Sequence, residues 1–177
     1  ANLFYVVTED EIFLNPVTYV NENLDGDTIR QGFELSFYTA LRDIIFNGGY
    51  TFRDTEVDGG QFDGKELPNV PKHQLNLGAQ KTFNNRIQLG INGLYVGERR
   101  YISDFDNDKG HLEDYFYVTS QLSYLLDAGR VYLTVNNILN EEYSEYGVDY
   151  GNSWLDGSPT VGLYPSPKIN FIVGVDF

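Results

Sequence analysis

The chain has 177 residues, with 26 Asp and Glu against 12 Lys and Arg, a formal charge of −14 and no cysteine. Disulfides, thiolate zinc sites and cysteine nucleophiles are therefore excluded, and the clustered cations that a nucleic-acid partner needs are lacking. No run of about 18 apolar residues occurs, so no helical membrane span is expected. The chain opens on Ala1 as if inside a strand, which suggests either a removed leader or a fragment of a longer protein.

Apolar and polar residues alternate with a period of two almost throughout, which predicts eight β-strands and no helix. In chain order the predicted strands cover about 2–13, 28–41, 43–53, 74–80, 87–95, 115–126, 130–139 and 169–177. The first segment is the least regular. The last is the clearest, because an apolar residue occupies every second position through Phe171, Val173, Val175 and Phe177.

The predicted connections alternate between short and long. Turn formers mark short connections at 41–43, 84–86 and 127–130, and long polar stretches lie at 14–27, 54–71, 99–114 and 144–166. Successive connections of a meander lie at opposite ends of the sheet, so the long ones share one rim, as in outer-membrane barrels. These stretches carry −12 of the total charge. Solvated acidic loops of a soluble protein are the simpler explanation of the charge alone, but they do not explain the alternation of loop length.

The composition of the polar face favours a membrane barrel over a soluble sandwich. It is rich in uncharged residues such as Gln74, Asn76 and Gly78, which suit a water-filled lumen. Aromatic residues cluster at strand ends, as in the interfacial girdles of membrane barrels, although the same rings also pack across ordinary strands. We therefore predict an all-β fold: an antiparallel transmembrane β-barrel meander.

Four segments carry a resemblance to a known family. They are IRQGFEL at 29–35, LPNVPKH at 67–73, VNNILNEEY at 135–143, and Tyr164-Pro165 with the terminal strand. In this order they resemble elements of the C-terminal half of TonB-dependent outer-membrane receptors, and the third is the most specific. Lys168 and Ile169 stand where many members carry Gly-Arg, which weakens the last element. The resemblance covers the whole chain.

The resemblance implies that residues 1–177 are the last eight strands of a barrel of about 22 strands, without the plug domain. It implies active uptake of a scarce solute, such as a ferric siderophore, haem, cobalamin or a glycan, across the outer membrane of a Gram-negative bacterium. The implied partners are outer-membrane lipid, the rest of the barrel and its plug, an energy-coupling inner-membrane complex acting through the plug, the barrel assembly machinery, and a small solute or metal chelate.

The same resemblance makes Phe177, with Phe171, Val173 and Val175 before it, a signal for the barrel assembly machinery. It implies no enzymatic activity and no cofactor. Whether eight strands close on themselves stays open at this stage. A stand-alone eight-stranded outer-membrane barrel with a structural or adhesive role is the alternative, and a soluble barrel around an apolar ligand is a third hypothesis.

Two groups of residues are candidates for contact with a ligand or a plug. Tyr146, Tyr150 and Trp154 in the last long stretch suit solute capture by ring stacking, and interfacial anchoring is an equal alternative. Arg30 and Glu34 share the inner face of one strand, where lumenal charges pair with each other or hold a plug.

Other polar clusters predict no catalysis and no metal site. Asp104, Asp106 and Asp108 are spaced like calcium ligands, but Lys109 and Tyr115 occupy the positions where an EF-hand needs Gly and Glu. An acidic surface loop is therefore the main interpretation, with calcium binding left open. His73 and His111 have no partner at metal-ligand or triad spacing, so we expect structural or solvated roles.

Overall fold

The computed structural model describes residues 1–15, 18, 20–102, 104–152 and 159–177. The strands within these residues are β1 Asn2–Thr8, β2 Ile12–Leu14, β3 Asn21–Asn23, β4 Asp27–Leu41, β5 Ile44–Asp58, β6 His73–Phe83, β7 Ile87–Val96, β8 Arg99–Arg100, β9 His111–Leu112, β10 Tyr115–Leu126, β11 Gly129–Asn136, β12 Ser144–Asn152, β13 Pro159–Pro165 and β14 Asn170–Asp176. No helix in this part of the chain is long and apolar enough to cross a membrane.

Eight strands form one antiparallel meander in the order β1-β4-β5-β6-β7-β10-β11-β14. Each strand pairs with its neighbours along the chain, which confirms the predicted eight-stranded architecture. Strands β1 and β14 are the two edges, so the sheet is open. Several boundaries differ from the prediction. The first segment breaks after Thr8, β5 continues to Asp58 instead of ending near residue 53, β6 continues to Phe83 instead of ending near residue 80, and β11 ends at Asn136 instead of near residue 139.

The short connections are tight turns, and the first two contain residues in left-handed backbone conformations. Arg42 has φ 56°, and Asn84 and Asn85 have φ 48° and 54°. Asparagine tolerates this region better than most residues, and the resulting backbone twist matches that of the flanking strands. Because the sheet is a meander, the three turns lie at one rim and the four long connections lie at the other.

The strand register places the apolar residues in rows on one face. One row runs across five strands through Phe83, Ile87, Tyr124, Val131 and Val175. Its side chains are exposed, although they are large and apolar. A soluble sheet would bury such a face, whereas a membrane barrel exposes it to acyl chains.

The opposite face carries uncharged polar residues. A row through Asn47, Gly78, Asn92 and Thr119 crosses four neighbouring strands. The Asn136 side chain donates a hydrogen bond of 2.9 Å to Asn170 Oδ1 between β11 and β14 on the same face. The two faces therefore separate as the alternation predicted.

The long connections form a folded layer with its own apolar core. We call them the first loop (9–26), the second loop (59–72), the third loop (97–114) and the fourth loop (137–169); β2–β3, β8–β9 and β12–β13 are hairpins within three of them. A buried cluster joins the first three loops to the end of β5: Leu24, Val57, Phe62 and Leu67, with Phe13, Val70 and Phe105 against it. The stretches predicted to be simply polar thus hold the main core of the described chain.

Asparagine side chains explain why the VNNILNEEY segment is specific. Asn137 is buried with φ 50°; its amide donates to Glu141 O at 2.9 Å and Pro167 O at 3.3 Å, and its oxygen accepts from Glu141 N at 2.9 Å. Asn140 Oδ1 accepts a hydrogen bond from Ile169 N at 3.2 Å. These bonds fix both ends of the fourth loop, which connects β11 to β14.

Candidate functional site

A cavity of about 390 Å³ lies among the loops at their rim of the sheet, and we call it the rim cavity. Its described lining is Glu11, Ile12, Phe13, Leu14, Leu24, Arg30, Leu67, Pro68, Val70, Ile102, Phe105, Tyr146, Val148 and Tyr150. All four long loops contribute, together with Arg30 of β4. A mostly apolar cavity with a few polar groups is typical of small-molecule sites.

Phe13 is the centre of the cavity wall because it joins three loops. Its ring packs edge-on against Phe62 of the second loop at a centroid distance of 6.1 Å and against Phe105 of the third loop at 4.9 Å. Phe62 and Phe105 also contact each other, with centroids 5.3 Å apart. Such aromatic packing is worth about 0.5–1.5 kcal/mol per pair beyond burial, so it holds the loops in a defined arrangement.

An ion pair forms part of the lining of the rim cavity. Arg30 Nη2 lies 2.6 Å from Glu11 Oε1, Arg30 Nη1 donates to Thr28 Oγ1 at 2.8 Å, and the Thr28 hydroxyl donates to the other Glu11 oxygen. Burial works against ionisation of Glu11, but the hydrogen bonds from Arg30 and Thr28 and the charge of Arg30 outweigh it and lower the pKa of this carboxyl. The first loop is thereby tied to the polar face of β4.

Two of the three tyrosine and tryptophan candidates reach the rim cavity. Tyr146 and Tyr150 of β12 line it, and they are 36% and 54% exposed. Tyr146 also packs edge-on against Tyr164 of β13 at a centroid distance of 5.1 Å. Trp154 lies outside the described residues.

Arg30 and Glu34 lie on the polar face of β4, but each has another partner. Arg30 pairs with Glu11, while Glu34 accepts a 3.5 Å hydrogen bond from the Asn2 side chain of β1. The spacing on β4 allowed an ion pair between Arg30 and Glu34, but the ion pair of Arg30 is with Glu11 of the first loop.

The second and third loops are held together by ionic and amide contacts. Glu66 lies 2.6 Å from Lys72 and 3.2 Å from Arg100. Hydrogen bonding to Lys72 is the main reason that the pKa of Glu66 is lowered, and the same bond raises the pKa of Lys72. Asn107 brackets the Glu66 backbone, accepting from its N–H at 2.7 Å and donating to its carbonyl at 3.0 Å. One wall of the rim cavity is thus a rigid pair of loops.

The Asp104 carboxylate organises the third loop. It is buried, with Oδ1 accepting from the backbone N–H groups of Asp108 and Lys109, and Oδ2 3.4 Å from Arg100. This carboxylate therefore has a structural role. No group of three or more His, Cys, Asp or Glu side chains in the described part of the chain is placed to hold a metal ion.

A second cavity of about 390 Å³ lies beside the first and is polar. Lys72, His73, Arg99, Arg100 and His111 are among its lining residues. Most have partners: His73 Nδ1 is 2.7 Å from the Tyr50 hydroxyl, and buried Arg99 donates to the carbonyls of Ser144 and Glu145 at 3.0 and 2.8 Å. These groups hold the third and fourth loops against the sheet, and the described residues suggest no catalytic arrangement among them.

The residues of the candidate assembly signal lie at the outer edge of the sheet. Phe171, Val173 and Val175 are on the apolar face of β14, 49–72% exposed, and Phe177 follows the strand and is fully exposed.

Glu11, Phe13 and Phe105 line the rim cavity but were not predicted from the sequence as residues of the site. Glu11 follows β1 and lies near Arg30 because Thr8 pairs with Thr28, so the strand register would have suggested the contact. The two phenylalanines carry no signal of this kind. Phe13 lies in the short strand β2 of the first loop, Phe105 lies in an irregular part of the third loop, and they meet across about 90 residues of chain.

An open meander with one continuous apolar face, a polar opposite face and long loops gathered at one rim defines a segment of a transmembrane β-barrel. The family model for the TonB dependent receptor-like, beta-barrel domain matches residues 1–138. The chain therefore belongs to the TonB-dependent receptors, through their β-barrel domain. Members of this family are outer-membrane receptors and transporters of Gram-negative bacteria, not enzymes, which confirms the predicted localisation.

Individual relatives agree with the family assignment. The iron-regulated outer membrane virulence protein of Vibrio cholerae serotype O1 is 27% identical over 118 residues, which cover 63% of this chain and 18% of that protein. The ferric yersiniabactin uptake receptor FyuA from Yersinia pestis superposes with a TM-score of 0.71 at 20% identity, over 98% of this chain and 26% of that one.

The copper transporter OprC superposes with a TM-score of 0.72 at 15% identity, over 97% of this chain and 26% of that one. The structural likenesses show a shared fold. The chain spans 18% of the length of the curated relative and about a quarter of the length of each solved structure.

Proposed function

We propose that residues 1–177 form the C-terminal barrel segment of a receptor for active uptake of a scarce solute, with the plug domain and the other strands outside this chain. The observation that supports this most is the rim cavity, which four loops build above a sheet whose apolar face suits lipid. The segment supplies barrel wall and part of the solute-binding surface, with Tyr146 and Tyr150, and Trp154 in the same loop, as ring contacts.

Among the candidate solutes, a metal chelate has the most support, and haem, cobalamin or a glycan have less. Relatives are described as iron-regulated, as a receptor for ferric yersiniabactin uptake and as a copper transporter. We infer that this receptor takes up a ferric siderophore or a similar chelate.

The proposed partners follow from the family and from the two faces of the sheet. Outer-membrane lipid covers the apolar face, and the remaining strands pair with the edges of the sheet. The plug contacts the polar face around Arg30 and Glu34 and connects to the energy-coupling inner-membrane complex. The barrel assembly machinery recognises Phe177 with Phe171, Val173 and Val175.

Uptake by cells tests the function. Cells that lack the full-length receptor, or that carry it in wild-type or altered form, are given radioactive iron with a panel of chelators, with and without an uncoupler. We expect energy-dependent uptake of at least one chelate, reduced about tenfold or more by combined Tyr146→Ala and Tyr150→Ala, since stacking contacts are worth about 0.5–1.5 kcal/mol each and act together.

Tyr38→Ala is the matched control, because Tyr38 is a 73% exposed tyrosine near the turn rim, away from the loops. Uptake that does not require the receptor, or that persists with the uncoupler, would contradict the function. Normal uptake by the double variant would contradict the role of the two tyrosines.

A further inference from the structure

The size of the rim cavity limits what enters it. Its volume is about 390 Å³. A dry apolar cavity of about 150 Å³ holds one benzene, and small-molecule sites span about 300–1,000 Å³, so the rim cavity lies near the lower end of that range. A substituted ring or a short branched alkyl group therefore fills it, and the rest of a larger solute extends beyond it.

The charged groups of the lining neutralise each other. Glu11 and Arg30 are the charged side chains among the described lining residues, and they form one ion pair supported by Thr28. An ionic ligand inside the cavity would lose hydration and would find no unpaired charge to replace it. The lowered pKa of Glu11 favours its charged form beside Arg30.

The surroundings of the cavity disfavour anions further. The four long stretches that carry the loops sum to −12, so a negatively charged group approaches against the local field. Most of the other lining residues are apolar, among them Phe13, Leu67 and Phe105 from three different loops. Apolar burial is thus the interaction that this site offers.

We propose that the rim cavity binds an uncharged, ring-sized apolar group of the solute and leaves the charged or metal-binding part of that solute outside. The inference rests on the proposed function for the identity of the solute, but the binding preference is a property of the cavity itself. The expected solutes are therefore chelates that carry an uncharged aryl or compact alkyl arm.

Two fluorinated probes of nearly equal shape test the preference. The full-length receptor in lipid nanodiscs is titrated with para-fluorobenzyl alcohol, which is neutral, and with para-fluorobenzoate, which is anionic, and the fluorine NMR line width is recorded. We expect the receptor to bind the alcohol and to bind the benzoate at least about tenfold more weakly, because burying an unpaired charge is costly.

Two substitutions in one hairpin locate the binding. Val148 of β12 lines the rim cavity, so Val148→Phe fills it and abolishes receptor-dependent broadening of the alcohol signal. Val161 of β13 pairs with Asp149, so it lies on the face of the hairpin opposite to Val148. Val161→Phe should leave the broadening unchanged. Because broadening by probe dissolved in the lipid is the same in both variants, their difference reports binding in the rim cavity. If Val148→Phe reaches the membrane poorly, Leu14→Trp on the exposed part of the lining replaces it.

Equal affinity for the two probes, or equal broadening by wild-type receptor and Val148→Phe, would overturn the inference. The uptake experiment separates the two proposals. A receptor that transports a chelate but shows no probe binding at Val148 keeps its function and loses this site. A receptor with the expected probe binding but no uptake keeps the cavity and loses the function.

Discussion

Gly32 lies where the backbones of β4 and β5 leave no room for a side chain. A Cβ at this position would be 2.0 Å from the Phe52 carbonyl oxygen and 2.9 Å from Cζ of Phe4. This glycine belongs to the Gly-x-Glu pattern of the IRQGFEL segment, so the pattern has a packing reason: the Phe4 ring covers the backbone there.

Gly32→Ala is therefore expected to destabilise the receptor by about 1–3 kcal/mol, the usual range for forcing extra atoms into a packed site. Gly90→Ala is the control, since a Cβ on this polar-face glycine would meet its nearest neighbour, Gln121 O, at 4.0 Å. Urea unfolding of the full-length receptor in detergent measures both. Equal stability of the two variants would show that β4 and β5 adjust freely.

At the scale of a strand, the two faces differ in what they tolerate. Leu77 and Asn76 are neighbours on β6, both exposed, and point to the apolar and polar faces respectively. The alternation has meaning only if these faces meet different solvents, lipid on one side and water on the other.

Leu77→Arg is expected to lower the stability of the inserted barrel by up to about 2–4 kcal/mol, the cost of an arginine near the bilayer midplane, whereas Asn76→Arg costs far less. The full-length receptor variants are refolded into lipid vesicles. The folded fraction of each, read from the heat-dependent gel mobility of barrels, compares their stabilities. A larger loss for Asn76→Arg would reverse our assignment of the faces.

The whole sheet has two edges, β1 and β14, each with one neighbour in the structure. Unpaired edges expose rows of N–H and C=O groups and invite further pairing. In the complete receptor we propose that other strands of the same barrel satisfy them.

Hydrogen exchange tests this at the scale of the molecule. In the full-length receptor, amides of β1 and β14 should be protected at successive positions. In the isolated chain only alternate amides should be protected, because an edge strand bonds on one side. Full protection of both strands in the isolated chain would mean that the eight strands close on themselves, which is the stand-alone barrel.

The alternation in sequence was enough to predict the eight strands of the main sheet, their faces and the rim that carries the loops, because these depend on neighbouring residues, but it did not predict the three hairpins within the loops. Side-chain period and turn chemistry are local properties, and Asn84, Asn85 and the terminal Phe171–Phe177 row express them directly. The resemblance to the family was also visible in local sequence. The Asn137 side chain bonds to the backbone of Glu141, four residues away, so a short segment such as VNNILNEEY carries this structural requirement.

Tertiary structure alone decided how the loops meet. The Glu11–Arg30 pair, the Phe13–Phe105 contact and the rim cavity join residues from distant parts of the chain. Irregular loops have no periodicity to announce their partners, and the closure of each depends on the others. The same reason explains why stretches that looked simply polar contain the buried core: a few apolar side chains among acids are enough once the folded sheet brings the first three loops together.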